Sequence, residues 1–151
     1  MTRYPFPKID LHLHLDGSLL PATMVELAAA QGVPLPADTP EGYLEYVREA
    51  TGCGSVNRYL EVFEHPVAVM QDAGSITRIT KELIELLASQ GVAAAEIRMA
   101  PQLHTRRGLT QAEVTQAVLE GRRQGLAACP DIKIGILLCM MCIGPEAVNH
   151  A

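Results

Sequence analysis

The feature that most restricts this chain is the run "KIDLHLHLDGS", from Lys8 to Ser18. Successive side chains of a β-strand point to opposite faces. Read as a strand over Lys8 to Leu15, the run puts Ile9, Leu11, Leu13 and Leu15 on one face. Asp10, His12, His14 and Asp16 share the other. The apolar face is expected to pack on helices. The polar face needs partners or a cavity, because burying such groups unpaired costs several kcal/mol each. The plain alternative is an edge hairpin with its polar face in water. A helical segment comes next, however, and strands joined through helices form covered, parallel sheets.

The rest of the chain repeats that alternation of strand and helix. In "GSLLPATMVELAAAQG", Pro21 suits a first helical turn, Met24, Leu27 and Ala28 form an apolar stripe, and Gly32 supplies the stop. "PLPADTPEG" is a loop. The stretch from Glu41 to Met70 reads as two short helices, broken at "TGCGS" and disturbed again by Pro66. "SITRITKELIELLASQG" places Ile76, Ile79, Leu83, Leu86 and Leu87 at helical spacing, and Gly91 ends it. "VAAAEIRMAP" reads as a second strand. "TQAEVTQAVLEGRRQGLAAC" reads as a helix opened by a capping box of Thr110 and Glu113. "IKIGILLCMM" is a third strand, and "GPEAVNHA" begins a further helix.

This order predicts an α/β fold with right-handed crossovers. The expectation is a partial (β/α)8 TIM barrel: the first three parallel strands with their helices. A full barrel takes eight strands and about 250 residues, and its sites lie at the C-terminal strand ends. Residues 1–151 are therefore expected to be the N-terminal part of a single, incomplete barrel domain. His12, His14 and Asp16 fall near the C-terminal end of their strand.

Two histidines at i and i+2 can converge on one metal, and neutral imidazole is a good zinc ligand. His12 and His14 are the candidate ligands. Asp10 lies deeper and suits a structural hydrogen-bond network. Glu96 and Arg98 share a face of the second strand and suggest a lumen ion pair. Arg106 and Arg107 read as a solvated loop. Cys139 and Cys142 lie at an apolar strand end, where cysteine acts as a small hydrophobe rather than a redox pair. His65, His104 and His150 fit no ligand pattern.

The formal charge is -5 with no basic patch, so nucleic acid is not an expected partner. "MTRYPFPKID" carries no apolar leader, and the longest apolar run, "IGILLCMMCIG", is about half a bilayer span. Four cysteines make no disulfide scaffold at this size. A cytoplasmic, membrane-free setting is expected.

"KIDLHLHLDGSLLP" resembles the first strand and turn of the adenosine deaminase family, zinc aminohydrolases of the amidohydrolase superfamily. The likeness continues in family order through "NRYLEVF", "GVAAAEIRMAPQLH" and "IKIGILLCMM". TatD-like nucleases and polymerase-type phosphoesterases also open on such a histidine pair. "LDGS" and the long helical excursion from Glu41 to Gln90 set this chain apart from them.

The resemblance implies one Zn2+ per complete site, with His12 and His14 as two of its ligands. It implies a small-molecule substrate, adenosine or deoxyadenosine, hydrolysed to the inosine product and ammonia. Asp16 matches the Asp that bonds the ribose 5′-hydroxyl, which favours a nucleoside over a free base. His14 would also lie against the substrate. Tyr59, Leu60 and Phe63 match an apolar wall over the nucleoside; an ordinary amphipathic helix face explains the same three equally well. The family's general acid and remaining ligands belong to "HAGE" and "DDP" motifs, and neither occurs here. By that reasoning the catalytic groups are expected downstream and the chain alone is expected to be inactive. Two other readings stand beside this one: a different amidohydrolase-type hydrolase, and a noncatalytic product that binds through an exposed sheet edge.

Overall fold

The computed structural model describes residues 6–52 and 54–141. Three parallel strands, β1 (Lys8–His14), β2 (Val92–Met99) and β3 (Lys133–Leu138), form one sheet in the order β1-β2-β3. Each crossover moves one strand along in chain order, as in a barrel wall. The helices are α1 (Pro21–Gln31), α2 (Pro40–Thr51), α3 (Val56–Glu61), α4 (Glu64–Val69), α5 (Ala73–Ser89) and α6 (Gln111–Ala128). A short 3-10 turn, Pro101–His104, follows β2. Among the described residues no helix is long and apolar enough to cross a membrane. The helix expected at "GPEAVNHA", together with Cys142 and His150, lies outside the described residues.

Local chemistry sets the helix ends. Pro21 opens α1, and Gly32 closes it at φ 67°, a left-handed conformation that glycine adopts without steric penalty. Thr39 caps α2 by accepting from the Gly42 amide at 3.2 Å. Asp72 caps α5 by accepting from the Ser75 amide at 2.8 Å. The Thr110–Glu113 capping box is formed in full, at 3.2 and 2.8 Å.

The core lies between the sheet and α5 and α6. Ile76, Ile79, Leu83, Ile84 and Leu87 of α5 meet Val114, Ala117 and Val118 of α6 and Ala95, Ile97 and Met99 of β2. Gly121 lets the two helices close: a Cβ there would stand 2.4 Å from the Thr77 carbonyl oxygen.

Two expectations need correction. The stretch from Glu41 to Met70 holds three helices, not two. Pro66 is the third residue of α4, within the first turn, where a missing N–H breaks no helical bond. It belongs to the start of a new helix instead of disturbing an old one. Nor does β1 alternate strictly. Asp10 pairs with Ala95 and Leu13 with Ile97, so three steps on β1 match two on β2. This is a β-bulge. Ile9 and Leu11 are 65% and 60% exposed, while Leu13 is half-buried and Leu15 is fully buried. The expected apolar face therefore packs only at its C-terminal end; among the described residues β1 has β2 as its one strand neighbour.

Candidate functional site

His12 and His14 lie close together on β1. The rings of His12 and His14 stack at a centroid distance of 5.4 Å, and their Nε2 atoms lie 3.4 Å apart. Each ring nitrogen can be an N–H donor or a lone-pair acceptor, so two Nε2 atoms this close can share a proton or a cation. Zn–N bonds of 2.0–2.1 Å in a tetrahedron require an N···N edge of about 3.3–3.4 Å. The pair has that separation, so the residues present fit one edge of a zinc site. Among the described residues no group of three or more His, Cys, Asp or Glu could hold a metal.

Asp16 follows at the end of the strand. Its carboxyl is almost wholly buried, and Oδ1 has no hydrogen-bond partner. Burial pushes its pKa up; the neighbouring His14 ring and the Asp16 and Gly17 amides pull the other way without cancelling it. His14 Nδ1 lies 3.9 Å from Oδ1. A buried acceptor without a donor is an open valence for a hydroxyl or an N–H. Ser18 Oγ donates to the His14 carbonyl at 2.5 Å and ties the turn to the strand.

A cleft of about 680 Å³ opens over these groups at the C-terminal ends of all three strands. His14 and Asp16 line it together with Tyr59, Leu60 and Phe63. Leu60 is 55% exposed, so α3 presents it to the cleft and does not bury it in the core. Tyr59 and Phe63 meet edge to face at 5.4 Å. Gly17 makes room for this wall, since a Cβ there would come within 3.1 Å of the Phe63 ring.

Other sequence-level candidates fall elsewhere. His104 is fully buried, its Nδ1 3.1 Å from the Met70 carbonyl and its Nε2 unpartnered. Burial lowers its pKa to about 4, with Arg106 adding to the effect and the Met70 bond opposing it. His65 packs edge-on against Tyr43 and Tyr46. The expected Glu96–Arg98 ion pair is not formed among the described residues; Arg98 donates instead to the Leu11 carbonyl at 3.1 Å. The arginine loop is also more engaged than expected. Arg106 pairs with Glu64 at 3.3 Å, and Arg107 donates to Gln31 at 2.9 Å. Cys139 lines the cleft at the end of β3. Sequence reading missed the register shift in β1. Asp10 two residues before His12 was the available signal, since Asp readily bonds the amide two residues on.

The fold is that of the amidohydrolase barrels, represented here by the first three β/α units. An adenine deaminase from Arthrobacter aurescens superposes with a TM-score of 0.65 at 32% identity, covering 87% of this chain and 38% of that one. An amidohydrolase from Burkholderia ambifaria, solved with bound zinc, superposes at 0.72 with 24% identity, over 89% of this chain and 36% of that one. The adenosine deaminase family model matches residues 7–151, and the chain belongs to that family. The adenosine deaminase of Haemophilus ducreyi is 44% identical over 133 residues, which is 88% of this chain and 39% of that protein. The chain thus spans about two-fifths of the length of such relatives.

Proposed function

We propose that this chain supplies the first part of the active site of a zinc-dependent adenosine deaminase, which converts adenosine and deoxyadenosine to their inosine products and ammonia. The observation that supports it best is the His12–His14 pair at 3.4 Å beside an unpartnered, buried Asp16 oxygen, under an apolar wall. In this reading His12 and His14 hold Zn2+ through Nε2. The metal, when bound, activates water as the nucleophile at neutral pH. Asp16 accepts a hydrogen bond from the ribose 5′-hydroxyl and so sets the register of the nucleoside. His14 lies against the ligand beside it. Tyr59, Leu60 and Phe63 cover the purine and keep bulk water out. The cleft belongs to one barrel domain, of which residues 1–151 form the N-terminal portion. The setting proposed is cytoplasmic purine salvage, with neither nucleic acid nor membrane as a partner.

A two-histidine site lacks the three protein ligands of a catalytic zinc centre. The chain as given is therefore expected to bind zinc weakly and to leave adenosine unchanged. The test is a spectrophotometric adenosine assay with zinc, run on the chain alone and with the downstream part of a related barrel supplied in trans or fused. Inosine formation is expected only in the completed protein, and His12→Ala should abolish it. In that protein Asp16→Ala is expected to weaken adenosine by roughly 1.5–3 kcal/mol while hardly affecting 5′-deoxyadenosine. Equal losses on both would remove Asp16 from this role. Robust turnover by the chain alone, lost in His12→Ala, would overturn the two-ligand reading.

A further inference from the structure

We infer that Arg98 is a positioning residue that locks the β1 bulge and thereby sets the separation of His12 and His14. The inference rests on the proposed function only in giving that separation a purpose; the clamp itself is a matter of geometry. In a regular strand, residues i and i+2 lie about 6.6 Å apart along the chain. Their side chains stand parallel, and nothing draws the two ring ends together. A bulge bends the strand and re-aims side chains. The one here falls between Asp10 and Leu13, across His12 itself.

A bulge also takes main-chain groups out of the ladder. On this strand two side chains take up the freed groups. Asp10 Oδ1 accepts from the His12 amide at 3.0 Å. Arg98 Nη2 donates to the Leu11 carbonyl at 3.1 Å, one residue before His12. Arg98 is the residue of β2 paired with His14, and its own carbonyl accepts from the Leu15 amide at 3.0 Å. One residue thus grips β1 on both sides of His14, by side chain and by main chain. Among the described residues β1 pairs only with β2, so its contacts with Arg98 are the inter-strand ones that shape it. Glu96, the acid nearest in sequence on the same face, makes no ion pair with Arg98, so the guanidinium remains available for that carbonyl.

The test uses the full chain and the variants Arg98→Leu and Arg98→Lys. The first measurement needs no metal: the NMR cross-peak between the His12 and His14 imidazole protons, with far-UV circular dichroism to verify folding. The cross-peak is expected in the parent, retained in Arg98→Lys, which keeps a charged donor, and lost in Arg98→Leu. Should Arg98→Leu not fold, Arg98→Gln carries the same expectation, because its donor is too short to reach Leu11. A cross-peak of parental strength in a folded Leu or Gln variant would overturn the inference. The second measurement is titration with Co2+, read by its visible absorption. Arg98→Leu is expected to bind about tenfold or more weakly than the parent, and unchanged affinity would again count against the clamp. If the parent binds Co2+ no better than His12→Ala does, the metal reading fails, and the imidazole cross-peak still decides the role of Arg98.

Discussion

His104 makes the chain's stability depend on mild acid. In the fold its Nε2 is buried without a partner, and its pKa is lowered to about 4. An unfolded histidine titrates near 6.5. The fold thus favours the neutral ring. Its contribution is complete above pH 6.5, declines as the pH falls through 6.5, and is exhausted near pH 4. A shift of that size corresponds to about 3 kcal/mol lost across the window. For a small domain that is a large part of the total. Other groups titrate in the same range, so the useful quantity is a difference between two proteins. His104→Leu loses the bond to the Met70 carbonyl, which costs about 1 kcal/mol at any pH, but it has no proton to take up. Urea unfolding of parent and variant at steps from pH 7.5 to 4 gives two stability curves, and their difference cancels the shared titrations. The parent is expected to fall relative to the variant by about 3 kcal/mol, most of it between pH 6.5 and 4. A difference that stays constant over that range would refute the assignment of acid sensitivity to His104.

Two further outcomes follow from packing and burial. Gly121→Ala brings a Cβ to 2.4 Å from the Thr77 carbonyl and 2.7 Å from the Thr80 Cβ. Overpacking of about 1–3 kcal/mol opposes a helix-propensity gain of about 1 kcal/mol; a lower urea midpoint is expected, and a higher one would show that the α5–α6 contact is looser than described. Burial raises the Asp16 pKa above its unfolded value, so this group lowers stability at neutral pH, and that burden is relieved as the pH falls through the folded pKa towards the unfolded one. Asp16→Asn is therefore expected to raise the thermal midpoint at pH 7 and to flatten its dependence on acid, and a lowered midpoint would show that the charge is better solvated than its burial implies.

Much of the fold was legible because local signals agreed with one another. Pro21 and Gly32 bracket α1, Thr110 and Glu113 open α6, and the spacing of Ile76, Ile79 and Leu83 marks the buried face of α5. Alternation in the sequence put His12 and His14 on one side, but their 3.4 Å approach beside a register shift was not legible. What escaped were features set by neighbours far away in sequence. The exposure of Ile9 and Leu11 depends on what lies beyond the sheet edge, and no local pattern reports that. The bulge depends on an arginine 87 residues from its acceptor. Phe63 reaches the cleft because Gly17 leaves space for its ring, a relation between two segments that each look ordinary alone.

The open edge at β1 has a meaning in time. In a closed barrel the first strand pairs with the last. In a relative such as the H. ducreyi enzyme, of which this chain spans 39%, about 200 residues would still be unmade when this much had been synthesised. At 5–20 residues per second that is an interval of roughly 10–40 s. Throughout it, Ile9, Leu11 and the unpaired main chain of β1 would wait on the growing polypeptide, while the histidine pair above them was already in place. The slowest event in making such an enzyme would then be the arrival of its last strand at its first, and a nascent chain held at this stage is where a chaperone would find the most to cover.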